Sequence, residues 1–468
     1  MLVITSASAA FLLGQALIGS GAPAGQPPAA QPGPAGLAFY LPPSPLVPGA
    51  AGQVIWSRQV TGAAALPGAA ANLLVLYHSS TLAGQDTAVS GTISIPPGQP
   101  PADGWPVLNW THGTTGVADI CAPSRDAPGH PSHIYNQLAD AMLNQWVKRG
   151  YVVLKTDYEG LGTPGSHPYL VGASEARSTV DILLAARQLL PAIGRSWAVM
   201  GHSQGGHAAL FTASLAPAWA PDLDLIGAVA IAPVGGAHDM IAGLRDARTS
   251  ARAPAPTLGL LALVLIGAAA ADHTVRVDQL LTPAALRLLA EAEVVGIDDL
   301  RAPSWPAPLV PAEIFRPGAD LGPLLKVLAA NDPAMLRPRT PVLIVQGHDD
   351  PIVARRGTDH IARSLHASGA MLGYHRYPGR GHYDLIQAAH TKNVQWIDTR
   401  RGQTPPPQAK KRKTHDRDDT DRQHQLPRPS RWPHRLRRGQ AGQAFSRART
   451  RRGRRRGPGT ACCPYLGA

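Results

Sequence analysis

The chain has 468 residues, 44% of them hydrophobic, which is enough to bury a large core and suits one big catalytic domain with an insertion, or two domains. Its formal net charge is +13, but residues 401–468 hold 19 Lys and Arg against 4 Asp, while residues 1–400 hold 25 Lys and Arg against 27 acidic residues. The body is near neutral, so the basic total excludes nothing and implies nothing about its substrate.

No charged residue precedes Arg58. Residues 1–24 carry an apolar stretch at 9–18 and end in Ala22-Pro23-Ala24, the pattern of a secretory signal and its cleavage site without the basic start. Residues 25–50 are rich in Pro, Gly and Ala and read as a flexible, partly extended linker. Residues 72–79 and 87–95 form an expected antiparallel pair turning near Gly84, and 106–110 a short apolar strand. A helix is expected over 134–148, stopping at Gly150, then a buried strand at 151–156 and a helix at 175–190. Further strands are expected at 197–200, 225–233, 341–346 and 372–377, with helices at 206–216, 360–367 and 383–396. Alternating helices and continuously apolar strands predict an α/β fold, a mostly parallel sheet with helices on both faces.

Between 236 and 335 that rhythm breaks into an Ala-, Leu- and Pro-rich helical segment, read as an inserted cap dividing a core of 51–235 and 336–400. Within it 257–271 is nearly all apolar, either a core helix of the cap or a wall for an acyl chain. Residues 401–468 contain no Val or Ile and three Leu, too few to order themselves, in a composition like that of GC-rich DNA translated out of frame. The three cysteines are Cys121, Cys462 and Cys463, so disulfides do not frame the fold, and Cys121 reads as a packed thiol.

The chemistry centres on Gly201-His202-Ser203-Gln204-Gly205-Gly206, between a buried strand and a helix. A Cβ at Gly201 or Gly205 would clash across so tight a turn, and the turn presents the Ser203 hydroxyl as a nucleophile. Alone, the pentapeptide also fits a glycine-rich structural turn. A serine nucleophile needs a base, and the base an orienting carboxylate, in the order serine, acid, histidine. After the strand at 341–346 comes Gly347-His348-Asp349-Asp350-Pro351-Ile352-Val353, whose spacing selects Asp350, with Asp349 as alternative. After the strand at 372–377, Pro378-Gly379-Arg380-Gly381-His382 ends in the candidate base, His382. His360, His366, His375 and His390 read as surface or packing histidines, and His202 and His207 as packing ones. Stabilising the oxyanion needs preset donors. Gln204 N–H, at the helix start, is one; the loop Thr111-His112-Gly113-Thr114-Thr115-Gly116 offers Thr114 N–H, or alternatively Thr115, with His112 organising the loop.

Three stretches together resemble the secretory lipase family, the lipase-A type of α/β-hydrolase: residues 110–116, Thr156-Asp157-Tyr158-Glu159-Gly160-Leu161-Gly162, and the Ser203 motif. Similarity extends over about residues 50–400; the tail has no counterpart, and the cysteine pairs of some members are not matched. The resemblance implies a secreted or cell-envelope enzyme hydrolysing carboxylic esters, including acylglycerols. It implies no metal, a helical cap over the site, and Ser203, Asp350 and His382 as triad. Asp157 anchors its loop or orients substrate. No cofactor is implied, since no phosphate loop or Cys/His ligand spacing occurs. Expected partners are a small-molecule or lipid ester and a lipid interface, with no specific nucleic acid and oligomeric state open. The alternatives are a serine peptidase or a polymer acyl esterase on the same fold, or a non-enzymatic polyanion-binding protein.

Overall fold

The computed structural model describes residues 30–246, 255–302 and 309–402. The expected signal segment and the basic tail with Cys462 and Cys463 lie outside them. Among the described residues nine strands form one sheet: β1 (Val54–Gln59), β2 (Ala71–Ser80), β3 (Asp86–Ile95), β4 (Trp105–Thr111), β5 (Val152–Thr156), β6 (Ile193–His202), β7 (Asp224–Ile231), β8 (Val342–Gly347) and β9 (Leu372–Tyr377). Their order is β1-β2-β3-β5-β4-β6-β7-β8-β9. β1 to β3 run antiparallel and β3 meets β5 antiparallel; from β5 to β9 every pairing is parallel. The sheet bears out the α/β expectation.

The period of two in the strands divides the core. In β6, Trp197 and Val199 face one layer with Val107, Leu154 and Ala230, while Ala198 and Met200 face the other with Leu108, Val153 and Val229. Helices cover each face: α1 (His133–Lys148) on the second, α2 (Gly172–Leu189) and α3 (Gln204–Trp219) on the first. α1 stops where Gly150 takes φ of +83°, with Gly150 N–H on Val147 O and Tyr151 N–H on Trp146 O, a Schellman closure.

Between β7 and β8 lie α4 (Ala237–Asp246), α5 (Ala255–Ala271), α6 (Val277–Leu280), α7 (Pro283–Ala292), α8 (Ile297–Leu300) and α9 (Gly322–Ala330). Their apolar faces close on a core of their own, with Leu263, Leu281, Leu300 and Leu324 fully buried. α5, the apolar stretch, has buried residues around its whole circumference, as an interior helix should. Among the described residues no helix is long and apolar enough to cross a membrane. The insertion touches the body in its middle and near its end: Gly296 bridges Gly116, Ile297 N–H reaches Thr115 O, and Asn331 Oδ1 accepts Gly172 N–H. After β8 follow α10 (Arg355–Ala367), α11 (Leu385–Ala388) and α12 (His390–Arg400).

The described part of the expected linker is not a loose tether. Residues Gly36–Tyr40 form a 3-10 turn that buries Phe39 and Tyr40 against Leu74, Leu76 and Ala88. Trp56 Nε1 donates to Phe39 O, and Tyr40 shares a hydrogen bond with Ser124. Two aromatic side chains outweigh the Pro/Gly composition around them, because each buries a large apolar area.

Candidate active site

β6, a central strand, delivers Ser203 just past its C-terminal end. Its φ of +60° and ψ of −116° are strained for a residue with a side chain, and Ser203 N–H holds Ile231 O of the neighbouring strand. The turn closes only with glycine on both sides. A Cβ on Gly201 would lie 1.9 Å from Thr111 Oγ1, and one on Gly205 would lie 1.8 Å from Thr111 O. Gln204 then begins α3, so its backbone N–H is among those that no helical carbonyl satisfies.

β8 and β9 each end in a loop that supplies one further group. Asp350 Oδ2 lies 2.7 Å from His382 Nδ1. Asp350 Oδ1 accepts N–H of Ile352 at 2.8 Å and of Val353 at 2.9 Å. Burial opposes the Asp350 charge, but the His382 contact and the two N–H groups outweigh it and hold the carboxyl below its usual pKa. Asp349 points away: its carboxylate is 62% exposed and meets His348. Ser203 and His382 line one cleft together with Thr114. Among the described residues no hydrogen bond yet joins the serine to the ring; such contacts often tighten only with substrate.

Thr114 lines this cleft, whereas Thr115 is fully buried and lines neither cavity at Ser203. Thr114 Oγ1 bonds Tyr169 Oη at 2.8 Å. His112 is buried with Nδ1 on Gly113 O, its ring against Tyr158. Asp157 lines neither cavity: its carboxylate is taken by Ser90 Oγ, Ser124 N–H and Ser124 Oγ, an anchor for the loop. Tyr158, with φ of +71°, donates from that loop to His112 O.

Beneath α3 lies a polar cluster without a sequence signature. Gln204 Nε2 donates to Glu175 Oε1 and to His167 Nε2; His167 Nδ1 meets Glu159 O. Burial lowers the His167 pKa to about 4, so its Nε2 is an acceptor. His207 is more than a packing residue: Nδ1 lies 2.7 Å from Glu175 Oε2 and Nε2 2.9 Å from Asn331 O. Burial works against its charge, yet Glu175 and Asn331 hold its pKa above the usual value.

A second, larger cavity of about 720 Å³ opens from Ser203 and Thr114. Leu170, Val234, Met240, Leu260 and Val264 give it apolar walls, with Arg356 and His360 also on its lining. Leu260 and Val264 come from α5, and Leu260 borders both cavities. Tyr135, Arg301 and Tyr383 border the smaller cleft, with Arg301 donating to Tyr383 Oη. Nothing adjacent to Tyr135 or Arg301 in the sequence marks a loop at a site, whereas Tyr383 directly follows His382. Cys121 is buried, and burial pushes its pKa to about 12, so it is no nucleophile. Among the described residues no group of three or more His, Cys, Asp or Glu could hold a metal ion.

The model of the family described as secretory lipase matches residues 128–273. A Mycobacterium tuberculosis protein named "Probable inactive lipase" is 27% identical over 385 residues, 77% of this chain and 81% of that protein. Lipase A of Moesziomyces aphidis is 29% identical over 208 residues, 43% of each chain. Among solved structures, Candida antarctica lipase A superposes with a TM-score of 0.67 at 22% identity, covering 79% of this chain and 86% of that one. The rice cell wall degrading esterase LipA of Xanthomonas oryzae gives 0.57 at 22% identity, covering 76% and 98%. These two likenesses are likenesses of fold. The resemblance read from the three motifs thus agrees with the family model over residues 128–273 and, for architecture, with the solved structures.

Proposed function

We propose that this chain, a relative of the secretory lipases with an α/β-hydrolase fold, is a serine carboxylic-ester hydrolase acting on acyl esters through an acyl-enzyme. The family and the fold are those of lipid ester hydrolases. Kinship alone does not carry the activity, since one relative is named inactive. What carries it is the pairing of His382 with a buried Asp350 across a cleft from a serine on a strained turn.

In this reading Ser203 Oγ attacks the ester carbonyl while His382 Nε2 takes its proton. Asp350 accepts from Nδ1–H, which keeps Nε2 free and stabilises the imidazolium. The tetrahedral oxyanion is held by Gln204 N–H and Thr114 N–H. His382 returns the proton to the departing alcohol, the carbonyl reforms, and water repeats the sequence to release the acid. The apolar 720 Å³ cavity takes the acyl chain, and the helical insertion supplies the wall over it. Export from the cell, read from the N-terminal segment and suggested by the family's name, belongs to the proposal.

The test is Ser203→Ala with a fluorophosphonate label. Wild type should be labelled at Ser203, the oxygen displacing fluoride, and the variant should lose labelling and p-nitrophenyl butyrate turnover by at least about 10³-fold with its fold intact. Turnover within tenfold of wild type refutes the nucleophile.

A further inference from the structure

Behind the proposed machinery a chain of hydrogen bonds joins its two halves. Gly113 N–H donates to Tyr135 Oη at 2.6 Å, Tyr135 Oη lies 3.3 Å from His202 Nδ1, and His202 Nε2 lies 3.0 Å from His382 O. The chemistry of the groups assigns every proton. A carbonyl only accepts, so His202 Nε2 carries hydrogen. His202 is fully buried; burial, with His382 beside it, drives its pKa well below the usual range, so the ring is neutral and Nδ1 accepts. The donor to Nδ1 is the Tyr135 hydroxyl, and the Tyr135 oxygen takes the Gly113 hydrogen. Burial raises the tyrosine pKa, which keeps that hydroxyl protonated.

The chain is also confined sterically. A Cβ on Gly113 would lie 2.6 Å from Tyr135 Oη and 3.0 Å from His202 O. The His202 and His382 rings have centroids 4.4 Å apart. Asp350 therefore holds the His382 ring at Nδ1, and His202 holds its main chain. The Nδ1 contact alone leaves the imidazole free to shift with its backbone; a fixed backbone carbonyl, with the His202 ring against the imidazole, defines its direction.

We propose that His202, working through Tyr135, is a positioning residue for ester hydrolysis: it sets the His382 imidazole and the Gly113–Thr114 donor loop at one fixed separation. The proposal rests on the assignment of Ser203, Asp350 and His382 made above. It gives the second residue of the Gly201–Gly205 pentapeptide a task distinct from packing.

The experiment compares wild type with Tyr135→Phe, His202→Leu and His202→Gln on p-nitrophenyl butyrate and ethyl butyrate. Active sites are counted by fluorophosphonate labelling, and folding is followed by circular dichroism. Tyr135→Phe removes one oxygen and keeps the ring, so it is the variant least prone to misfold. Nitrophenolate departs without a proton, whereas ethanol needs one from His382. A displaced base should lower kcat per titrated site about 10- to 100-fold on the ethyl ester, less on the nitrophenyl ester, with KM within about twofold. His202→Gln, which keeps an N–H donor, should recover about tenfold over His202→Leu. Equal losses on both esters, or rates per titrated site within twofold of wild type for Tyr135→Phe and His202→Leu, overturn the proposal. Failure of the wild type to label at Ser203 overturns the parent reading instead, and this proposal with it.

Discussion

Asp350→Asn tests the base–acid pair most sharply, because the outcome follows from which atoms surround the carboxylate. Oδ1 accepts two backbone N–H groups, at 2.8 and 2.9 Å, and Oδ2 meets His382 Nδ1 at 2.7 Å and Gln346 Nε2 at 3.3 Å. Asparagine keeps one oxygen and adds one NH₂. Turning the NH₂ toward Ile352 and Val353 sets it against two donors that cannot rotate and leaves both unsatisfied, at about 1–3 kcal/mol each. Turning it toward His382 costs a change of tautomer and the 3.3 Å contact from Gln346 Nε2, which keeps Gly347 O and Val353 O as acceptors, so the second arrangement wins. His382 must then present Nδ1 as an acceptor, and its proton moves to Nε2, the atom that has to be empty to take the serine proton. The expected loss in kcat is about 10⁴-fold, equivalent to about 5.4 kcal/mol of barrier. The assay is p-nitrophenyl butyrate hydrolysis per titrated site, with Asp349→Asn as control; Asp349 is exposed and outside the cleft, so its variant should stay within about twofold. An Asp350→Asn enzyme within tenfold of wild type refutes the reasoning.

The apolar cavity predicts that kcat/KM rises about fourfold per added acyl methylene from the acetyl ester upward, at about 0.8 kcal/mol each, until the cavity fills. Leu260→Trp, at the border of both cavities, should flatten that rise; a flat wild-type series shows that the chain binds elsewhere. His207, whose folded pKa is raised, contributes stability that is present below its unfolded value of about 6.5 and lost as pH rises through the higher folded value. His207→Gln should therefore destabilise by about 3 kcal/mol near pH 5.5 and by much less near pH 9. Urea denaturation at both values checks this, and a difference independent of pH removes the ion pair from the account.

Much of the site was legible in the linear chain, and for one kind of reason. The Ser203 turn is written in neighbouring residues because its sterics are local: the Cβ atoms that Gly201 and Gly205 lack would collide across the same turn and with β4. Asp350 follows the apolar, fully buried β8 and His382 follows the partly buried β9, so their place at one end of the sheet follows once the strands are recognised. Spacing favours Asp350 over Asp349, and the geometry agrees with that preference: Asp350 accepts two N–H groups and meets His382, while Asp349 is exposed. Other features were read less fully. β1 has no counterpart among the expected strands, the helix expected over 383–396 is two helices, and the residues around Phe39 read by composition as a tether. In that last case composition averaged away two aromatic residues that decide the matter.

What the amino-acid order determined alone is therefore whatever short-range geometry demands: the glycine-flanked elbow, the two-residue alternation of the strands, the apolar helix of the insertion. What folding alone decided is partnership between distant side chains. His202 meets His382 across 180 positions, His207 meets Glu175 across 32, and Thr114 rather than Thr115 borders the cleft. A hydrogen bond depends on ångströms and direction, and a sequence records neither for residues that only the closed sheet brings together.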